Sequence, residues 1–562
     1  MRSRNRDDGG GVRRQWLSLV AAVFCCQPIF GAVPDTVFDV AALTATPLNP
    51  RTLTSTESGG IVTEEVMFHS EMDGEKSVEI FALFSYPKGA KGLPALVWNQ
   101  GGLGRASTHF THLAARRGYA GLCIDFPMPG YRSTGDYPIV SGLELTDDLR
   151  RAPIYHGAVA LLKAVSYLIS RPEVDGEKVG MAGSSWGGFY TTLMAGIDSR
   201  LKAGSAMFGT GSLQLGNRWW DGSGWDNKRD AAFRERWRTS LDPAWRLQKA
   251  STPIGWFTGT NDWFYWMPAV MQSYEMASGP KHLSLLPNWD HGLDGEVGEQ
   301  VFAWLDVHLK GEPAFLRVTP LRLTRVGDEV VAEWSFEGPR KARSAEIILS
   351  YGEAGNWTRR YWITLPAELK KGRCTSKLPS CDLPYFISGT IVDTNDFRYS
   401  TPLLRAPPGE FGAAGHKAML DYNGCGMWGD FEEKQVRYLE AHSWACPPIS
   451  RDAKQGNQSA QLKPGGKTVL PPIFFTAGAP QRFSCFLKGA NATSVVIELG
   501  GNFDGTPVVE RKEFPVGTKW GEVSLQFTPP HVLSTDLRAT ISVPDNVPVL
   551  VDAVSFRPNA PQ

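Results

Sequence analysis

Gly183-Ser184-Ser185-Trp186-Gly187-Gly188 is a G-x-S-x-G sequence lying between the apolar run Lys178-Val179-Gly180-Met181-Ala182 and an apolar helical pattern. In that context the chain turns sharply from strand to helix around Ser185. Glycines two residues either side remove the side chains that would clash in so tight a bend. The turn lifts the serine hydroxyl out of the sheet at a helix N-terminus, where developing negative charge is favoured. Ser185 is therefore the candidate nucleophile.

Outward from this turn, strands and helices alternate from about Val33 to Gly311, the pattern of an α/β domain with a mainly parallel sheet. The expected strands are Ser77 to Ser85, Ala95 to Asn99, Ala120 to Asp125, Lys178 to Ala182, Ala203 to Phe208, Pro253 to Thr258 and His282 to Leu286. The clearest helix runs from Tyr155 to Ser170, where Ala158, Leu161, Leu162, Val165, Leu168 and Ile169 recur at helical spacing and Arg171-Pro172 stops it. A last amphipathic helix is expected from Val297 to Leu309.

A serine hydroxyl needs a base to take its proton, and the base needs an acid to fix its tautomer. Asp262 follows the strand Pro253-Ile254-Gly255-Trp256-Phe257, and His291 follows the next strand in Leu286-Pro287-Asn288-Trp289-Asp290-His291. Both would sit on loops at the sheet edge that carries Ser185. The adjacent Asp290 is a poorer partner for His291, because sequence neighbours rarely present their side chains to each other. His282, within an apolar strand, reads as structural. For the oxyanion, the backbone N–H of Trp186 supplies one donor. A second is expected from Gln100-Gly101-Gly102-Leu103-Gly104, at Gly102 with Leu103 as the competing choice.

Trp263 and Trp266 flank the acid and are candidate substrate-binding residues. Trp219, Trp220, Trp225, Trp237 and Trp245 lie in an insertion between Phe208 and Pro253. They either stack on sugar faces or pack a helical cap onto the sheet.

These residues resemble the α/β-hydrolase superfamily, in its branch of acetyl xylan esterases, dienelactone hydrolase-like enzymes and prolyl-oligopeptidase-like peptidases. The resemblance is carried by Gln100-Gly101-Gly102, Asp125 with Pro129-Gly130 and Ser133, Arg171 to Asp175, Gly183 to Gly188, Asp262 and His291. Asn261-Asp262-Trp263-Phe264 and Leu286 to His291 also resemble PhoPQ-activated pathogenicity-related proteins. Gln100 departs from the pattern, since many relatives have histidine before the glycine pair. The resemblance implies an α/β hydrolase with a Ser-His-Asp triad, no catalytic cofactor and an ester substrate such as an acylated carbohydrate or polysaccharide. A prolyl-oligopeptidase-like peptidase is the alternative with the same triad. A non-catalytic glycan-binding protein is the alternative from another class.

Beyond the helix ending near Gly311, helical periodicity gives way to short β-branched and aromatic segments separated by turns. They suggest an immunoglobulin-like β-sandwich over 313–406, then a linker at Pro407-Pro408-Gly409. The remainder, 410–562, resembles the galactose-binding-like jelly rolls of carbohydrate-binding modules through Gly429-Asp430-Phe431-Glu432, Phe483 to Gly489, Lys519 to Glu522 and Val551 to Phe556. That resemblance implies a structural calcium involving Glu432 and Asp552, and leaves open whether the module binds glycan or packs on the enzyme. The expected organisation is thus 1–32, 33–312, 313–406 and 410–562.

The first of these segments reads as a secretory signal: Arg2, Arg4, Arg6, Arg13 and Arg14 precede the apolar run Trp16 to Phe24 and small residues near Gly31. An uncleaved anchor is the competing reading, weakened by Pro28 and the short run. The expected location is secreted, periplasmic or at the cell surface. Export permits disulfides, for which Cys374 with Cys381 and, more weakly, Cys425 with Cys446 are spaced suitably. Cys123 lies in an apolar run and reads as a core residue. The chain has 562 residues with 58 basic and 58 acidic side chains. That balance offers no electrostatic reason for nucleic acid or anionic lipid as the main partner. Oligomeric state is not legible.

Overall fold

A computed structural model describes residues 37–139, 143–221, 229–292, 295–327, 329–351, 354, 357–359, 362–379, 385–406, 431, 447–469, 480–503, 506–528, 537–543 and 547–558. The expected signal segment, the Pro407–Gly409 linker, Trp225, Glu432, Cys381, Cys425 and Cys446 lie outside them.

Nine strands build the first sheet: β1 (Arg51–Ser58), β2 (Ile61–Asp73), β3 (Lys76–Pro87), β4 (Leu93–Asn99), β5 (Ala120–Ile124), β6 (Val174–Ser184), β7 (Leu201–Met207), β8 (Ile254–Gly259) and β9 (Lys281–Leu286). Their spatial order is β1-β2-β3-β5-β4-β6-β7-β8-β9. The β1-β2-β3 meander is antiparallel and joins β5 antiparallel. From β5 to β9 every pairing is parallel. The C-terminal ends of these parallel strands consequently share one edge. Strand order reverses at β4, which sits between β5 and β6, and such a reversal opens a crevice where ligands bind in α/β sheets. This is the α/β-hydrolase architecture.

Helices α1 (Val40–Ala45), α2 (Thr108–Arg116), α3 (Pro153–Ile169), α4 (Trp186–Ile197), α5 (Arg218–Asp221), α6 (Ala231–Ser240), α7 (Met267–Met276) and α8 (Gly295–Lys310) complete this part. Central strands are apolar on both faces, and alternation sends their side chains to two cores. Ala95 and Val97 of β4 join the core with α3 and α4, while Leu96 and Trp98 join the core with α2 and α8. Helix α3 is buried along almost its whole length, which explains why its apolar pattern is so dense.

The second sheet is antiparallel and comprises β10 (Arg317–Val318), β11 (Arg322–Val326), β12 (Glu329–Glu337), β13 (Ala342–Tyr351), β14 (Ile363–Lys370), β15 (Arg373–Pro379), β16 (Tyr385–Asp393), β17 (Arg398–Ser400) and β18 (Leu404–Ala406). Strand β14 pairs with β13 through its first part and with β15 through its last, so the halves are continuous. They face each other closely: a Cβ on Gly389 of β16 would lie 2.6 Å from the Trp334 ring of β12.

This sheet also covers the exposed edge of β9. Leu285 N–H donates to Ser400 Oγ (3.1 Å), and Arg398 Nε donates to the Leu285 carbonyl (3.0 Å). Pairing an edge strand with neighbours removes a site for unwanted strand addition. Between Ile449 and Pro558, nine further strands form sheets of five and four, with a separate apolar core.

Cys374 is a free buried thiol, so the expected bridge to Cys381 is not formed. It faces the apolar core beside Trp334 and Leu378, and burial pushes its pKa up to about 12. Cys123 is likewise a free core residue, pushed up to about 11 by burial. Among the described residues, no helix is long and apolar enough to cross a membrane.

Candidate functional site

Ser185 stands between β6 and α4 with φ 60° and ψ −120°. A non-glycine residue in that region is strained by roughly 1–3 kcal/mol and persists only where the surroundings impose it. Here two backbone hydrogen bonds do so: Ser185 N–H donates to the Met207 carbonyl (2.9 Å), and the Ser185 carbonyl accepts from Phe189 N–H (3.0 Å). The backbones around the turn approach so closely that only glycine fits. A Cβ on Gly187 would lie 2.2 Å from the Asn99 carbonyl oxygen, and one on Gly209 would lie 2.3 Å from the Ser185 carbonyl oxygen. Trp186 is the first residue of α4, and its N–H is among those a helix leaves without an internal acceptor.

Asp262 follows β8 and is buried. Its Oδ1 accepts from Phe264 N–H (2.8 Å) and Tyr265 N–H (3.0 Å), while Oδ2 meets His291 Nδ1 at 2.9 Å. A carboxylate only accepts, so Nδ1 carries a proton, and in the neutral imidazole that leaves Nε2 as the acceptor. The expected Asp262–His291 pairing is thus present geometrically. Asp290 instead accepts from the His291 backbone N–H (2.5 Å).

The loops bearing acid and base are fastened to each other. Thr260 N–H donates to the Leu286 carbonyl, Asn261 N–H to the Trp289 carbonyl, and Asn288 N–H to Thr260 Oγ1, each at 2.9 Å. Asn288, at φ 55°, also exchanges two bonds with the backbone of Trp362: Nδ2 donates to its carbonyl (2.6 Å) and Oδ1 accepts from its N–H (2.7 Å). Left-handed backbone is where asparagine is enriched.

The loop after β4 lies against the serine turn, since a Cβ on Gly101 would be 3.5 Å from Ser185 Cβ. Gly104 N–H closes it on the Gly101 carbonyl (3.0 Å), leaving Gly102 and Leu103 at its tip with Leu103 75% exposed. Gln100 points away from solvent, its Nε2 donating to Cys123 Sγ (3.2 Å). Asp125 anchors the far end of the loop: Oδ1 accepts from Ala106 N–H (2.6 Å) and Oδ2 from Arg132 N–H (3.1 Å).

Aromatic rings surround His291. Phe264 is 4.8 Å away edge-on, Phe208 5.8 Å, and Tyr265 6.2 Å nearly parallel. Trp219 links Trp186 (5.2 Å) to Phe264 (5.3 Å). Trp219, Trp220 and Trp237 are buried, so packing the cap is their role here. The hub of that cap is Asp242, which accepts from Ser212, Leu213 and Ala244 N–H and from Trp237 Nε1. Burial raises its pKa above the ordinary value, and these four donors oppose the rise. Trp263 is 39% exposed beside the acid. Trp266 is half-buried against Gly216 and donates from Nε1 to the Trp263 carbonyl (3.2 Å), so it supports Trp263 from behind.

His282 is buried between Trp304, Phe315 and Tyr399, and desolvation lowers its pKa to about 3. In the C-terminal sheets, Asp552 is buried with Oδ2 accepting from Lys454 N–H (2.6 Å) and Gln455 N–H (2.9 Å). Its oxygens thus organise a loop. Among the described residues no group of three or more His, Cys, Asp or Glu side chains is arranged to hold a metal ion.

Sequence reading missed Asn288, Gly209 and Asp242, whose roles depend on partners distant in the chain. Only the lone asparagine before Trp289 offered a signal.

Neither a protein-family model nor a curated protein matches the chain. Among solved structures it is similar to the acetyl xylan esterase from Paenibacillus sp. R4, at 19% identity over 48% of this chain and 92% of that one, with TM-score 0.42. It is similar to acetyl xylan esterase 1 from Thermoanaerobacterium sp. JW/SL YS485, at 17% identity over 47% and 90%, with TM-score 0.41. A glucuronoyl esterase from Solibacter usitatus is similar at 12% identity over 46% and 86%, with TM-score 0.34.

Proposed function

We propose that this chain is an exported serine hydrolase that cleaves acyl esters of a carbohydrate through an acyl-enzyme. The observation that carries the reading is the His291 Nδ1 to Asp262 Oδ2 hydrogen bond of 2.9 Å on the sheet edge where Ser185 is held at φ 60°. In the proposed reaction Nε2 of His291 takes the Ser185 hydroxyl proton as Oγ bonds to the ester carbonyl carbon. The N–H groups of Trp186 and Gly102 stabilise the oxyanion. Collapse breaks the ester C–O bond, and His291 returns the proton to the departing sugar oxygen. Water, deprotonated by His291, then releases the carboxylic acid and restores Ser185. No metal or cofactor enters these steps.

The carbohydrate part of the proposal rests on the sequence resemblance and on the exposed face of Trp263, which suits a sugar ring. The structural calcium at Glu432 and Asp552 and glycan binding by the C-terminal module remain expectations of that resemblance. Purified protein assayed on p-nitrophenyl acetate, acetylated xylan and aminoacyl-p-nitroanilides, beside Ser185→Ala, tests the function. Ester turnover abolished in the variant supports it. Amide turnover abolished in the variant, without ester turnover, replaces it with the peptidase reading.

A further inference from the structure

Arg218 opens the short helix α5, and its backbone is held beside the acid loop: Arg218 N–H donates to the Phe264 carbonyl (3.1 Å), and Asn217 bridges to Tyr265. Its guanidinium lies 4.5 Å from the centre of the Trp263 ring and 5.7 Å from that of Phe264. Phe264 in turn packs on His291, so this cation stands one aromatic ring from the proposed base.

Among the described residues the Arg218 guanidinium makes no hydrogen bond and no ion pair, although the side chain is half-buried. The carboxylate on its own helix, Asp221, is engaged by Arg234 (2.6 Å) and by Asn217 N–H. Asp290 is near enough for its charge to act on Arg218. Burial outweighs that attraction and lowers the Arg218 pKa, the mark of a cation short of compensation. Guanidinium stacked on an aromatic face keeps its in-plane N–H groups free, and that fork matches a carboxylate.

We infer that Arg218 and Trp263 form a specificity site for a carboxylate-bearing ester, with the anion on Arg218 and the adjoining apolar face on Trp263. The inference rests on the serine-hydrolase reading and narrows its substrate to an acidic one. The carboxylate could belong to the alcohol side, as in an acetylated uronic acid, or to the acyl side, as in the monoester of a dicarboxylic acid.

Both sources are tested by kcat/KM on matched neutral and anionic esters: acetylated methyl glucoside against acetylated glucuronic acid, and p-nitrophenyl butyrate against p-nitrophenyl glutarate. The wild type should favour the anionic member of at least one pair by about tenfold or more, the scale of one charged hydrogen-bonded contact. Arg218→Gln should remove that preference while changing the neutral ester by less than about threefold, and Arg218→Lys should retain part of it. No preference in the wild type, or equal losses on both members in Arg218→Gln, overturns the inference. Quenching of tryptophan fluorescence by free glucuronate or glutarate reads the site without turnover. A failure of Ser185-dependent catalysis is therefore distinguishable from a failure here, and quenching unchanged in Arg218→Gln also overturns it.

Discussion

Asn288 and Trp362 exchange two hydrogen bonds, side-chain amide to backbone amide, at 2.6 and 2.7 Å, and so bolt the loop that carries His291 to the second β-sheet. Asn288 is three residues before His291, and Trp362 is buried in a core shared with α7. Removing the amide leaves a buried N–H and carbonyl of Trp362 unpaired, at roughly 1–3 kcal/mol each. Asn288→Ala should lower kcat about tenfold or more with KM changed less than about threefold, together with a lower melting temperature. Steady-state kinetics on p-nitrophenyl acetate and a thermal melt check both; unchanged kcat would place the clamp outside the proposed mechanism.

Asp262→Asn keeps the shape of the acid but turns the group facing His291 Nδ1 into a donor or a weaker acceptor. The imidazole then favours the tautomer with the proton on Nε2, where the base must be. The expected loss in kcat is about 10⁴-fold, the scale known for this change in other triads, with little change in KM. A loss under tenfold would remove Asp262 from the proposed role.

Gly209→Ala should cost most of the activity, because its Cβ would fall 2.3 Å from the Ser185 carbonyl oxygen and 2.6 Å from the Phe189 nitrogen, both backbone atoms. Either the serine turn or the end of β7 must move. Kinetics alongside circular dichroism distinguish a distorted turn in a folded protein from global unfolding; full activity would contradict the turn geometry.

Acid stability should depend on His282 and His308. Burial lowers their pKa values to about 3 and about 4. Each is neutral when folded yet takes up a proton in the unfolded chain below about pH 6.5. The unfolded state then binds more protons, so stability falls as pH drops from about 6.5 toward the folded values, by up to about 1.4 kcal/mol per pH unit per group. His282→Gln, which keeps a polar group near Gln300, should flatten the fall in melting temperature between pH 6.5 and 4. Equal slopes in variant and wild type would contradict this.

These positions also show where sequence was legible. The serine turn, Asp262 and His291 could be read because local signals, glycine spacing and residues at strand ends, coincide with the chemistry they would serve. Helix α3 was readable because its burial fills the pattern with apolar residues. Strand β1 was not: Arg51-Thr52-Leu53-Thr54-Ser55-Thr56-Glu57-Ser58 is exposed along its length, and only pairing with β2 makes it a strand. Asn288, Gly209 and Asp242 were hidden for the same reason, since each acts on chain brought beside it by the fold. Cys374 misled because short spacing to Cys381 suggested a bridge, whereas its side chain faces the core of the second sheet.

Mapping the acyl group directly tests the central proposal that Ser185 is the nucleophile. Acid-quenching the protein during p-nitrophenyl acetate turnover and sequencing its peptides by mass spectrometry should find acetyl on Ser185, with both label and turnover absent in Ser185→Ala. Acetyl on another residue, or turnover in Ser185→Ala equal to that of the wild type, would contradict the account.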